Sequence, residues 1–351
     1  MRSIAIAALV AALCIAGQSC AADPKDKGVW TDAGDPTLPV DFKIQGEYVN
    51  EGLGIQVIAL GKGEFQAVVY LGGLPGAGWD GKSKSLMAGK FDGESATFEP
   101  AIGMRKYLAQ KPDEFSATAK FPPANHQPFT GKTNGESFTV QNANGLPTEL
   151  KKTVRKSPTL GVKAPAGAVV LFDGSSKDEW TGGRVDEKTR FLNTDGADIK
   201  TKKNFNNYTA HLEFMLPYKP DGRSQGRGNS GFYQINMYEV QILDSFGLDG
   251  KNNECGGVYS KIEPKLNMCL PPLVWQTYDV EFTNALIEGG KKAKNSRLTL
   301  KLNGVTIHDN VEIDGKTGGA RGDPEGTPGP LLLQGHGNPL QFQNVWVVEK
   351  K

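Results

Sequence analysis

"GNSGFYQINMYEVQILDS", residues 228–245, alternates apolar and polar side chains as a β-hairpin does. A two-residue turn at Asn236-Met237 sets Ile235 against Tyr238, Gln234 against Glu239, Tyr233 against Val240 and Phe232 against Gln241. One face then carries Tyr233, Ile235, Tyr238, Val240 and Ile242, which is core material. The other carries Phe232, Gln234, Glu239 and Gln241. A sheet with one face in a core offers its other face to water or to a ligand. Amides beside an aromatic ring, with no lysine among them, suit a sugar: the amides bond hydroxyls and the ring stacks. A plain solvated face is the alternative.

The same short-strand pattern runs outward in both directions. "NYTAHLEFML" alternates, with Tyr208, Ala210, Leu212 and Phe214 on one side and His211 and Glu213 on the other. "RLTLKLNGVTIHD" reads as a hairpin turning at Asn303-Gly304, the dipeptide that favours a primed turn. In it His308 stands across from Thr299 on the polar side and reads as exposed. "GPLLLQGHG" and "LQFQNVWVVE" supply closing strands. Residues 169–351 therefore read as a jelly-roll β-sandwich. Residues 23–156 read as a smaller β-rich domain, in which "GKFDGESATF" (89–98) and "GKTNGESFTV" (131–140) are two hairpins of one pattern. The basic, proline-containing stretch 157–168 reads as a linker with little to bury. The fold class is all-β.

At the start of the chain Arg2, an apolar run and "QSCAAD" have the form of a cleavable signal peptide, residues 1–22. The expected location is secreted or periplasmic, and no stretch is long enough for a membrane span. Cleavage takes one of the 40 basic residues and none of the 39 acidic ones, so the mature chain is balanced. It has no basic stripe, and nucleic acid is not an expected partner. Cys255 and Cys269 remain, and an oxidising compartment makes a disulfide between them the simplest expectation, contributing about 3 kcal/mol.

Glu239 is the only carboxylate on the polar hairpin face. Asp244 lies five residues on, an odd offset that a regular strand sends to the opposite face. It suits the "DSFG" turn better than a glycosidase carboxylate pair. His336 follows Gln334 in "LLLQGHG", beside glycines that let a ligand approach, and it titrates nearest neutrality. Trp275 opens "WQTYDVEF" and either stacks on a sugar or packs in the core. Asn229 precedes the hairpin, and "DGRSQGRGN" (221–229) puts Arg223 and Arg227 on a loop able to reach over a ligand. No serine elbow, phosphate-cradling loop or HExxH motif is present.

The segments "VVLFDG" (169–174), "NSGFY" (229–233), "YEVQILDS" (238–245), "WQTYDVEF" (275–282), "NGV" (303–305) and "GPLLLQGHGNPLQFQNVWV" (329–347) together resemble the 3-keto-disaccharide hydrolase family. The resemblance covers about residues 168–350. It implies a concanavalin A-like jelly roll that cleaves the glycosidic bond of sugars oxidised at carbon 3. A ketone there acidifies the carbon 2 proton, so a base can remove it and expel the group at carbon 1. On this reading Glu239 is the base and His336 the acid or carbonyl polariser. Gln241, Gln234, Phe232, Arg227, Asn229, Gln334, Asp244 and Trp275 are the candidates to bind an oligosaccharide or glycoside. The chain departs from the family pattern at Gly335, where "LQDHG" has an acid, and at Gln343, where "FRN" has arginine. A catalytically silent, lectin-like module is therefore the alternative. No cofactor is required; calcium or another divalent ion, held by loop carboxylates and carbonyls, is compatible with a jelly roll.

Overall fold

A computed structural model describes residues 28–321 and 324–350. The signal-peptide expectation for residues 1–22 lies outside them. Among the described residues no helix is long and apolar enough to cross a membrane.

Glycine-turn hairpins close the first half into an eight-stranded antiparallel barrel between Gly46 and Thr153. The two look-alike segments are both hairpins of this barrel: strand Lys84–Phe91 pairs with Ala96–Pro100, and Thr130–Thr133 pairs with Ser137–Gln141. Closure leaves no free strand edge.

The second half is a two-sheet sandwich. Its larger sheet runs in the order 184–185, 192–193, 341–349, 208–215, 275–283, 296–302, 305–313, with strand 169–172 added against 341–349. Its smaller sheet has the order 180–181, 199–205, 329–333, 230–234, 238–242. Leu212, Phe214, Phe232, Val240, Tyr278, Leu300, Leu331, Leu333 and Phe342 fill the space between the sheets. The Asn303-Gly304 hairpin forms as expected: Leu302 pairs with Val305, and both turn residues have positive φ. Beyond it a bulge shifts the register so that His308 opposes Leu300, not Thr299. His308 is consequently buried, with Nε2 2.7 Å from the Gly256 carbonyl.

The decisive hairpin differs by one residue from the two-residue reading. Gln234 pairs with Tyr238, Tyr233 with Glu239, Phe232 with Val240 and Gly231 with Gln241, so the loop has three residues, Ile235 to Met237. Positive φ at Ile235 and Asn236 and the Met237 N–H donating to the Gln234 carbonyl (3.0 Å) build that loop. Because side chains alternate with period two, the slip reverses one strand's faces. Phe232 and Gln234 enter the core; Tyr233 leaves it and joins Glu239 and Gln241.

The two cysteines are free thiols and form no disulfide. Both are fully buried in the sandwich core and each sulfur has other partners: Cys255 Sγ lies 3.3 Å from the Tyr278 hydroxyl, and Cys269 Sγ donates to the Leu243 carbonyl at 3.6 Å.

Barrel and sandwich share apolar clusters. Tyr218 and Leu273 of the sandwich pack in the barrel interior, and Phe246 and Leu248 pack with Ile58, Leu60, Tyr70 and Phe115. The stretch 157–162 is strapped to the outer face of the larger sheet. Ser157 and Thr159 bond the Thr277 hydroxyl, the Gly161 N–H donates to Glu213, and the Val162 carbonyl accepts from Asn344.

Candidate active site

The outer face of the smaller sheet is built in rungs. Register aligns Lys200, Leu332, Tyr233 and Glu239 across four neighbouring strands. The next rung carries Gln334, Gly231 and Gln241, with the Gln334 N–H donating to the Gly231 carbonyl at 2.9 Å. Glycine at 231 has a specific use: a Cβ there would overlap the Glu239 carboxylate, which lies across the gap.

Glu239 is 3% exposed, and Oε2 accepts a 2.7 Å hydrogen bond from the Tyr233 hydroxyl. Burial pushes its pKa up to about 7, against the lowering effects of Tyr233 and Arg321. The same burial and the adjacent carboxylate push the Tyr233 phenol well above its ordinary value, so the phenol stays a donor. Arg321 stacks over the Tyr233 ring, 5.4 Å from its centroid, and is ion-paired to Asp198. The segment carrying Arg321 folds back over the hairpin: the Thr317 N–H donates to the Met237 carbonyl (3.1 Å), and the Thr317 hydroxyl accepts from the Glu239 N–H (2.9 Å). Beside this pair runs a groove of about 780 Å³ lined by Thr181, Asp198, Lys200, Lys202, Arg321 and Leu332. That is within the size range of small-ligand sites.

An amide network lies beyond Glu239, at the rung that carries Gln241. Gln225 Oε1 accepts from Asn229 Nδ2 (2.9 Å) and from Gln241 Nε2 (3.2 Å). Asn229 Oδ1 is buried and has no partner among the described residues, so its acceptor capacity is unused within the protein.

The structure thus gathers four of the residues singled out in the sequence: Glu239, Gln241, Asn229 and Gln334. His336 is exposed at the rim. Its carbonyl accepts from Asn338 Nδ2 (3.0 Å), and Asn338 Oδ1 accepts from the Gly228 N–H (3.3 Å), which ties this turn to the Asn229 end of the site. Its ring makes no hydrogen bond to any described residue.

Five candidates lie elsewhere. Phe232 and Gln234 face the core, where Gln234 Oε1 accepts from the Tyr208 hydroxyl at 2.9 Å. Arg227 and Asp244 form a buried ion pair (2.6 Å), and Arg227 also donates to the Ala59 carbonyl of the barrel. Asp244 Oδ1 accepts from the Phe246 N–H, the turn role its spacing suggested. Trp275 belongs to the larger sheet and packs edge-on against Phe191. Tyr233, Gln225, Asp198 and Arg321 were missed in the sequence. The register slip hid Tyr233, and the other three sit on loops without a local pattern.

Neither departure from the family pattern removes a contact of Glu239. Gln343 bonds Glu213 on the opposite sheet (2.7 Å). Gly335 packs on the Ala197 backbone and donates its N–H to Asp198 (3.1 Å), so a carboxylate already stands at that point. Among the described residues no group of three or more His, Cys, Asp or Glu is placed to hold a metal ion.

Comparison with known proteins agrees with this architecture. No curated protein matches the chain. A solved structure from Parabacteroides distasonis ATCC 8503, provisionally named a glycosyl hydrolase, is 32% identical over 54% of this chain and 86% of its own, with a TM-score of 0.50. A second structure of the same provisional name and organism is 21% identical over 53% of this chain and 95% of its own, with a TM-score of 0.39. The family model for the 3-keto-alpha-glucoside-1,2-lyase-like domain matches residues 167–348, just over half the chain and every strand residue of the sandwich except Glu349. The chain belongs to that family.

Proposed function

We propose that the protein cleaves the glycosidic bond of 3-keto-glycosides outside the cytoplasm, by elimination at the Glu239 site. The observation that carries this reading is one buried carboxylate, poised near neutrality, on an amide-lined sheet face of a chain in this family. The provisional name of the Parabacteroides relative points to the same broad chemistry.

Glu239 takes the proton from carbon 2 of the oxidised ring. The electron pair left on carbon 2 delocalises onto the ketone oxygen as an enolate. Its return forms the carbon 1–carbon 2 double bond and breaks the bond from carbon 1 to the leaving oxygen, which receives a proton from His336 at the rim. Water adding across the double bond completes net hydrolysis. A base near pKa 7 suits an α-proton of this kind, because it is both ionised and basic at neutral pH. Gln241, Asn229 and Gln334 bind sugar hydroxyls, and Tyr233 holds the carboxylate in place. A pair of facing carboxylates, as in common glycosidases, is unnecessary on this route.

The test is incubation with 3-keto-glucosides and their unoxidised parents, using wild type and Glu239→Gln. Release of sugar from the oxidised compounds alone, lost in the variant, supports the reading. Equal rates in variant and wild type end it. Retention of the glycan without turnover by both proteins would establish the lectin-like alternative.

A further inference from the structure

Two segments leave the smaller sheet at its hairpin and lie down on the barrel. After the hairpin, Asp249 takes Lys84 Nζ (2.8 Å) and the Ala119 N–H (2.7 Å), and Glu254 accepts from the Tyr107 hydroxyl. Before the hairpin, the short turn Ser224–Gly226 is bracketed by two arginines. Arg223 donates to the carbonyls of Pro220, Gly222 and, in the barrel, Leu60, the last at 2.8 Å. Its guanidinium also stands over the ring of Phe115, which packs with Ile58, Leu60 and Tyr70 of the barrel, 5.5 Å from the centroid. Arg227 reaches the Ala59 carbonyl at 2.8 Å and Gln45 Oε1 at 3.3 Å.

Between these arginines sits Gln225, half-buried, on the side of the amide network that meets solvent. Its Oε1 receives one N–H from Asn229 and one from Gln241, and its Nε2 donates to the Asn253 carbonyl at 3.1 Å. An amide that accepts from two others dictates which way both point. Asn229 must offer nitrogen to Gln225, which fixes the orientation of its amide and leaves its buried oxygen without a partner among the described residues.

We infer that Gln225 is a substrate-positioning residue, and that the barrel serves the reaction by clamping the Gln225 turn through Arg223 and Arg227. This inference rests on the sugar-cleaving reading. A sugar hydroxyl donates to Asn229 Oδ1 only while Gln225 holds that amide in its present orientation. The barrel therefore has a part in recognition although none of the site residues named above belongs to it.

The experiment uses the full chain: steady-state kcat and KM on a 3-keto-glucoside for wild type, Gln225→Ala, Arg223→Ala and the double variant. Amide hydrogen exchange of residues 222–230 is followed in parallel. Each single change is expected to raise KM about tenfold with kcat nearly unchanged, since binding and not the base is disturbed. The double variant should be no worse than Gln225→Ala, because both act through one contact. Exchange over 222–230 should quicken in Arg223→Ala. If that variant does not fold, Arg223→Lys takes its place, keeping the charge without the three-carbonyl reach. An active wild type with unmoved KM in Gln225→Ala, or additive losses in the double variant, would overturn the inference and leave the cleavage reading intact. A wild type that releases no sugar would remove the cleavage reading itself, and this one with it.

Discussion

Glu239 makes opposite demands on activity and on stability. Its folded pKa of about 7 exceeds the ordinary value of 4.5, so the folded protein holds a proton that the unfolded chain has released. Stability therefore falls as pH rises from about 4.5 through 7, by about 3 kcal/mol at about 1.4 kcal/mol per pKa unit. Glu239→Gln removes the charge and should stabilise the protein by up to that amount at pH 8 and by nothing at pH 4, read from urea midpoints at both. Activity runs the other way: kcat/KM should rise with pH through a midpoint near 7 as the base ionises. Tyr233→Phe deletes a hydrogen bond that favours the ionised form, so its midpoint should move above 7. Arg321→Met should move it the same way, because Asp198 is then left unopposed.

Among elements, the hairpin 230–242 shows what the sequence could and could not say. Core alternation in Tyr238, Val240 and Ile242 was legible, and with it Glu239 and Gln241 on the outer face. Loop length was not legible, because Ile-Asn-Met carries none of the glycine chemistry that made Asn303-Gly304 readable. A β-branched residue with φ of 44° at Ile235 is held by its burial in the core, a long-range cause. Site residues on strand 238–242 or next to a strand end, Glu239, Gln241, Asn229 and Gln334, were thus found, and those placed by more distant loops or by the register shift were not. The larger sheet has its own ionic element. His211 lies between Asp279 (2.7 Å) and Glu213 (3.3 Å), stacked on Trp346. Burial opposes its charge, but the two carboxylates outweigh it and raise the pKa. Glu213 is held low despite burial, by His211, Asn344, Gly161 and Gln343. The His211 contribution is full below about pH 6.5 and fades as pH rises through its folded value; that of Glu213 is full above about 4.5 and fades as pH falls. Glu213→Ala should therefore cost about 3 kcal/mol, most of it between these limits, in urea unfolding at pH 5, 7 and 9.

For the whole molecule, the shared clusters and the arginines that reach the Ala59 and Leu60 carbonyls join barrel and sandwich, so the two should unfold as one cooperative unit. Calorimetry should show a single transition. Arg227→Met leaves Asp244 buried without its partner, and should lower that transition by the equivalent of about 3–5 kcal/mol while keeping it single. Two separate transitions in the wild type would contradict this. The all-β class and the sandwich were legible from alternation and turn residues. The docking of the halves was not, because its arginines end on backbone carbonyls, which every sequence supplies equally, and its Lys84–Asp249 and Tyr107–Glu254 contacts join residues more than a hundred positions apart with no local pattern.

The strap at 157–162 bears on how the chain would respond to a protease. Residues 163–168 beyond it are largely exposed, and Lys163 offers trypsin a target there. A cut at that point would fall downstream of the strap. The liberated front piece would keep its grip on the Thr277, Glu213 and Asn344 side chains as well as on the shared apolar clusters. Such a nick would show as two bands under denaturing conditions and as one undivided particle in a sizing column.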